Sequence, residues 1–98
     1  MLVENRGSIV TFRVSSGDEI LGELVEMSST HLTIKTPAIT TLVPMGNGQV
    51  QVNLGSFMTA SYPDSTIKFR LANVICDPIK ARPEAEEQYR RVMVMPKQ

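Results

Sequence analysis

Few side chains in this sequence have the type and spacing that chemistry demands. There is one histidine, His31, and one cysteine, Cys76. A cysteine beside a histidine would be a nucleophile with its base. Here Cys76 ends the apolar run Val74-Ile75-Cys76, where a thiol reads as a small buried hydrophobe in a strand. Neither His31 nor Cys76 has partners at zinc-like spacing. The carboxylate pairs Asp18-Glu19 and Glu86-Glu87 fall in a turn and at a helix start, where solvated charge accounts for them. Met45-Gly46-Asn47-Gly48 lacks the lysine and the following helix of a phosphate loop. Taken alone, His31 reads as a solvated residue at a strand start, and Arg70, before a turn, as a surface or intersubunit ion-pair residue. No catalytic group, metal site or cofactor is expected, and the chain does not read as an enzyme.

The elements around these residues are mostly strands. Val10, Phe12 and Val14 alternate with Thr11 and Arg13, so residues 8–14 have one apolar face. Ser15-Ser16-Gly17-Asp18 is a turn with Gly17 free to take a positive φ. Residues 18–27 carry the apolar phase through Ile20, Gly22 and Leu24. A glycine inside a strand marks a bend or a close backbone approach. Ser28-Ser29-Thr30 is a second turn, and residues 31–36 form a third strand that Pro37 interrupts. The strand resumes at 39–43. Pro44-Met45-Gly46-Asn47-Gly48 is the clearest turn in the sequence. From about 49 to 59, Val50, Val52 and Leu54 alternate with Gln49, Gln51 and Asn53, so a fourth strand with one wet face is expected. Tyr62-Pro63-Asp64-Ser65 breaks the pattern. Residues 66–69 are a short strand with Ile67 and Phe69 inward, 71–73 a tight turn, and 74–76 a strand closing the sheet.

Residues 83–94 form the one helix, with Pro83 in its first turn. Glutamates lead and arginines follow, as the macrodipole favours. Glu86 faces Arg90 and Glu87 faces Arg91 four residues on. Ala85, Tyr89, Val92 and Met93 make a narrow apolar stripe for docking on the sheet or on a neighbouring subunit.

The totals bound the rest. At 98 residues the chain is one domain, 1–98, with a stability on the order of 5–15 kcal/mol. Ten basic and ten acidic residues cancel. That argues against strong non-specific nucleic-acid binding and favours self-association. One cysteine allows no internal disulfide, which fits a reducing, cytoplasmic setting. No apolar run approaches the ~20 residues of a membrane span, and Met1 to Val10 lacks a signal-peptide core.

Gly17-x-x-Ile20-x-Gly22-x-Leu24 resembles the first motif of Sm and LSm proteins, Gly-x-x-Val-x-Gly-x-Leu. Phe69-Arg70-Leu71-Ala72-Asn73-Val74 resembles the second, Ile-Arg-Gly-x-x-Ile, with Leu71 in place of its glycine. Gly-Asp-Glu-Ile with a later tyrosine-containing helix is similar to the short Sm-like proteins encoded by bacteriophages. The resemblance implies a mainly β fold: a small, strongly bent, five-stranded antiparallel barrel of Sm or SH3 type over about 8–78. To it are added an extended hairpin insertion at 38–59 and a C-terminal helix at about 83–94. It also implies a homo-oligomeric ring of five to seven subunits, closed by strand pairing between neighbours.

In that family two loops of each subunit bind single-stranded RNA. A planar side chain stacks on the base, polar groups read its edge, and a cation meets the phosphate. Arg70 stands where the family arginine stands, with Asn73 in the same loop. In Met27-Ser28-Ser29-Thr30-His31-Leu32 the family aspartate becomes Ser28 or Ser29, and His31 falls on the asparagine position. The expected RNA contacts are therefore Ser29, His31, Arg70 and Asn73. Repetition around a ring would add affinity that a neutral subunit lacks. The alternative is a structural or protein-interaction ring that keeps the barrel without RNA.

Overall fold

The structure is a computed structural model that describes residues 7–57 and 65–94. It is mainly β, with one antiparallel sheet and a C-terminal helix. The strands are β1 (Ile9–Arg13), β2 (Glu19–Met27), β3 (His31–Pro44), β4 (Val50–Ser56), β5 (Thr66–Arg70) and β6 (Ile79–Lys80). A 3-10 turn, Leu71–Asn73, follows β5. The helix α1 (Pro83–Tyr89) runs on into a π-helical stretch, Arg90–Val94. The strand order is β4-β3-β2-β1-β6, with β5 also on β3. The two glutamate–arginine pairs of the helix form, at 2.9 Å for Glu86–Arg90 and 3.9 Å for Glu87–Arg91. Among the described residues no helix is long and apolar enough to cross a membrane.

The β1–β2–β3 meander forms as its alternation predicts. Gly17 takes φ +96° in the first turn, and Val10, Phe12, Ile20, Leu24, Leu32, Ile34 and Phe69 make the main core. Phe12 and Phe69 meet edge to face at 5.2 Å. Gly22 lies within the first of two register shifts in the β2–β3 ladder, the one between Leu21 and Glu23, where a bulge sharpens the bend of the sheet. Its missing side chain is what lets Ile34 and Pro37 lie against the β2 backbone.

The third strand does not stop at Pro37. It runs from His31 to Pro44 but turns sharply at Thr36, a β-branched residue at φ +53°. Few such residues adopt this conformation. The bend gives β3 two partners along one edge: His31–Lys35 pairs with β5 and Ala38–Pro44 with β4. Pro37 has no N–H to give β4, and its carbonyl still accepts the Phe57 N–H at 3.1 Å.

A second core, on the opposite face of the sheet, was not visible in the β1 alternation. Ile9, Leu21, Ala38 and Ala81 are buried there under Tyr89. The Tyr89 hydroxyl donates to the Thr36 carbonyl at 2.7 Å and lies 3.2 Å from that of Lys35, so the helix is pinned to the strained bend. Of its expected stripe, Tyr89 is buried and Ala85 and Met93 pack beside it, while Val92 stays exposed.

Burial pushes the Tyr89 phenol up to about 12. The folded state therefore favours the neutral ring. The stability this contributes is complete below the unfolded value near 10 and is lost as pH rises toward 12. The expected loss is on the order of 3 kcal/mol, read as a fall in the urea midpoint between pH 9.5 and 12. Tyr89→Phe should lack this component; an identical fall in that variant would refute it.

Other expectations need correction. Residues 74–76 are not a closing strand. Val74 makes a single bridge to Val14, and the edge strand beyond β1 is the two-residue β6. Cys76 is exposed rather than buried. β5 and β6 do not pair with each other, so the sheet is not closed. In β4, Val50 and Val52 are exposed although they alternate with polar residues, and Leu54 alone packs toward the second core. The expected positions in 1–6, at 58–59 and at Tyr62-Pro63-Asp64 lie outside the described residues.

Candidate nucleic-acid interface

Two turns meet at one end of the sheet. In the first, Ser28 organises the β2–β3 connection. Its Oγ accepts the N–H groups of Thr30 at 3.2 Å and His31 at 3.0 Å, and its own N–H donates to the His31 carbonyl at 2.9 Å. Such serine-capped turns form because the hydroxyl satisfies backbone donors that the tight chain reversal leaves free. Ser29 is exposed at the tip of this turn. The hydroxyl of Thr30 lies 2.8 Å from His31 Nδ1, which ties one ring nitrogen to the turn.

The second turn is the 3-10 segment after β5. Arg70 is the register partner of His31 in the β3–β5 ladder, and the Leu71 N–H donates to the Thr30 carbonyl at 2.9 Å. Asn73 is exposed, and its carbonyl accepts the Ser15 N–H at 2.8 Å, so the β1–β2 turn also reaches this end. The structure thus brings His31 and Arg70 side by side, with Ser29 and Asn73 on the two turns that flank them.

Strand alternation decides what surrounds the pair. Leu32, Ile34, Ile67 and Phe69 point into the core. His31, Thr33, Lys35, Thr66, Lys68 and Arg70 therefore share the opposite face, and Lys68 lies beside Arg70 on it. Among the described residues Arg70 makes no ion pair, unlike Arg13, Arg90 and Arg91. An exposed, unpaired guanidinium next to a second cation suits an anionic ligand. Neither turn carries an aromatic side chain, so His31 and Arg70 are the planar groups available for stacking.

The Thr30 contact to the His31 ring adds a side chain that the expected RNA contacts do not include; the Ser-x-Thr spacing of a hydroxyl-capped turn is its sequence signal. No group of three or more His, Cys, Asp or Glu residues is placed to hold a metal among the described residues. The chain matches no protein-family model and no curated protein.

Proposed function

We propose that this chain is an Sm-like protein, a bent barrel that assembles into a homo-oligomeric ring of five to seven subunits and contacts single-stranded RNA. The observation that carries the reading is the register of β3 with β5, which sets His31 opposite Arg70. His31, in the turn aligned with one family RNA loop, thereby stands beside Arg70 of the second motif in one polar cluster. The Val14–Val74 bridge, with the Ile75 N–H donating to the Arg13 carbonyl at 2.8 Å, supports a barrel-like curl of the chain after β5. Among the described residues β5 pairs only with β3, which leaves its outer edge available for a neighbouring strand. In this reading Arg70 holds phosphate or stacks, His31 stacks or reads a base edge, and Ser29 and Asn73 supply further hydrogen bonds.

The test is fluorescence anisotropy of labelled oligo(U) and oligo(A) at low and near-physiological salt. Saturable binding that survives the higher salt is expected. Arg70→Ala should weaken it about ten-fold or more, the worth of one charged hydrogen bond, at unchanged assembly mass. Equal binding by Arg70→Ala would clear that residue of the role. A second reading, a ring that serves as a protein scaffold, draws on the zero net charge and on turns without aromatics. Binding confined to low salt would favour it.

A further inference from the structure

From Thr36 to Pro63 the sequence contains no Asp, Glu, Lys or Arg, although the chain has twenty of them. The β3–β4 hairpin lies in this uncharged stretch. β2 accompanies β3 only as far as Ile39, so the rest of the hairpin projects as a two-stranded ribbon, a marginal unit on its own. Its side chains Leu42, Val50 and Val52 are 65%, 60% and 40% exposed. They lie on the same face as Ala38 and Leu54, and so extend the second core outward into solvent.

The hydrogen-bond phase of the ribbon follows from its two ends. Met45 donates to the Gln49 carbonyl at 2.8 Å and Phe57 to that of Pro37 at 3.1 Å. Between them the bonded pairs are 43/51, 41/53 and 39/55 by alternation. The N–H and C=O groups of Val50, Val52 and Leu54 therefore point away from β3, along an outer edge. Gln88 Nε2 donates to the Val52 carbonyl at 2.8 Å and holds the middle of this edge. Edges of stable monomers carry lysine, proline or inward charge to prevent pairing, and β4 has none of these.

We infer that the outer edge of β4 is a self-association surface whose occupant is β4 of a second copy, paired antiparallel about a two-fold axis. An uncharged strand edge is complementary to another uncharged edge, and the second copy supplies one in every solution of this protein. A two-fold axis through Val52 sets Val52 opposite itself and Val50 opposite the partner's Leu54, which pairs the outward backbone groups of both strands. The partner N–H displaces the Gln88 amide from the Val52 carbonyl. The exposed Leu42, Val50 and Val52 side chains of both copies then share one continuous apolar face. The contact is isologous and stands without the proposed ring; a ring closed head to tail through the β4 edge would compete with it, and one closed through the outer edge of β5 would not.

The experiment compares assembly masses of the wild type and Val52→Lys by light scattering, and adds a cross-link. Val52→Lys places two ammonium groups across the axis and leaves the backbone bond to Gln88 possible. The expected result is a wild-type mass twice that of Val52→Lys, with the variant still unfolding in one cooperative thermal transition. If the ring forms, the pair of masses is 2n and n subunits; if it does not, they are dimer and monomer. In the Cys76→Ser background, Val52→Cys should form a covalent dimer under mild oxidation. Directly opposed strand residues lie about 5.5 Å apart at Cα, within disulfide reach. Equal masses for the wild type and Val52→Lys, or no covalent dimer from Val52→Cys, would overturn the inference.

Discussion

Tyr89→Ala is expected to remove about 3–5 kcal/mol of stability, the range for deleting a large buried aromatic side chain. Tyr89 is 1% exposed and closes the second core over Ile9, Leu21, Ala38 and Ala81. It also donates to the Thr36 carbonyl at the bend of β3. Truncation therefore opens a cavity under the helix and frees a buried acceptor beside a residue at φ +53°. In a domain of this size such a loss lowers the thermal midpoint by roughly 15 °C or more. Tyr89→Phe keeps the ring and should cost only about 1 kcal/mol, the net worth of one hydrogen bond. Urea unfolding of the two variants separates packing from bonding. Equal losses for both would place the helix's contribution in the hydroxyl alone and discard the packing account.

Gly22→Val is the second large effect. Any Cβ at Gly22 overlaps the Ile34 side chain, itself fully buried, and lies 3.3 Å from both the Lys35 carbonyl and the Pro37 Cα. Relief requires the β2 and β3 backbones to separate at the point where the sheet is most bent. A cost of about 3 kcal/mol is expected, at the upper end for overpacking. A double-mutant cycle locates the clash. Ile34→Ala alone costs about 2–5 kcal/mol, and combined with Gly22→Ala it should cost less than the sum, because the first change makes room for the second. Strict additivity would show that the close approach at Gly22 is not what the glycine is for.

The two glycines show how much of this fold local rules convey. Gly17 lies in a polar turn, and its positive φ follows from that turn alone. Gly22 breaks an apolar alternation, and a close approach was legible as a kind of event but not as a contact with Ile34 and Pro37. The site has the same division. His31 stands in a turn aligned with a family RNA loop and Arg70 in the second motif, yet they are far apart in sequence. Their adjacency depends on a ladder register that no local pattern specifies.

Alternation misled where burial depends on a partner element. Val50 and Val52 have the period of an inward-facing strand, but the sheet does not extend beneath them, so they are exposed. Ile9 has the phase of a solvent-facing residue, but the C-terminal helix covers it. Cys76 ends an apolar run that the chain leaves unpaired after one bridge at Val74. In each case period states which residues share a face, and only the neighbouring element decides whether that face is dry.

The amino-acid sequence by itself determined the strand-rich class, the positions of most turns, the C-terminal helix that Pro83 opens and the neutrality of the chain. These follow from φ preferences, side-chain period and charge, all local properties. Only the tertiary structure decided the continuous bent β3 with its two partners, the second core under Tyr89, and the meeting of His31 with Arg70. Those depend on which distant strands pair and in what register, and that is set by burial of both sheet faces at once.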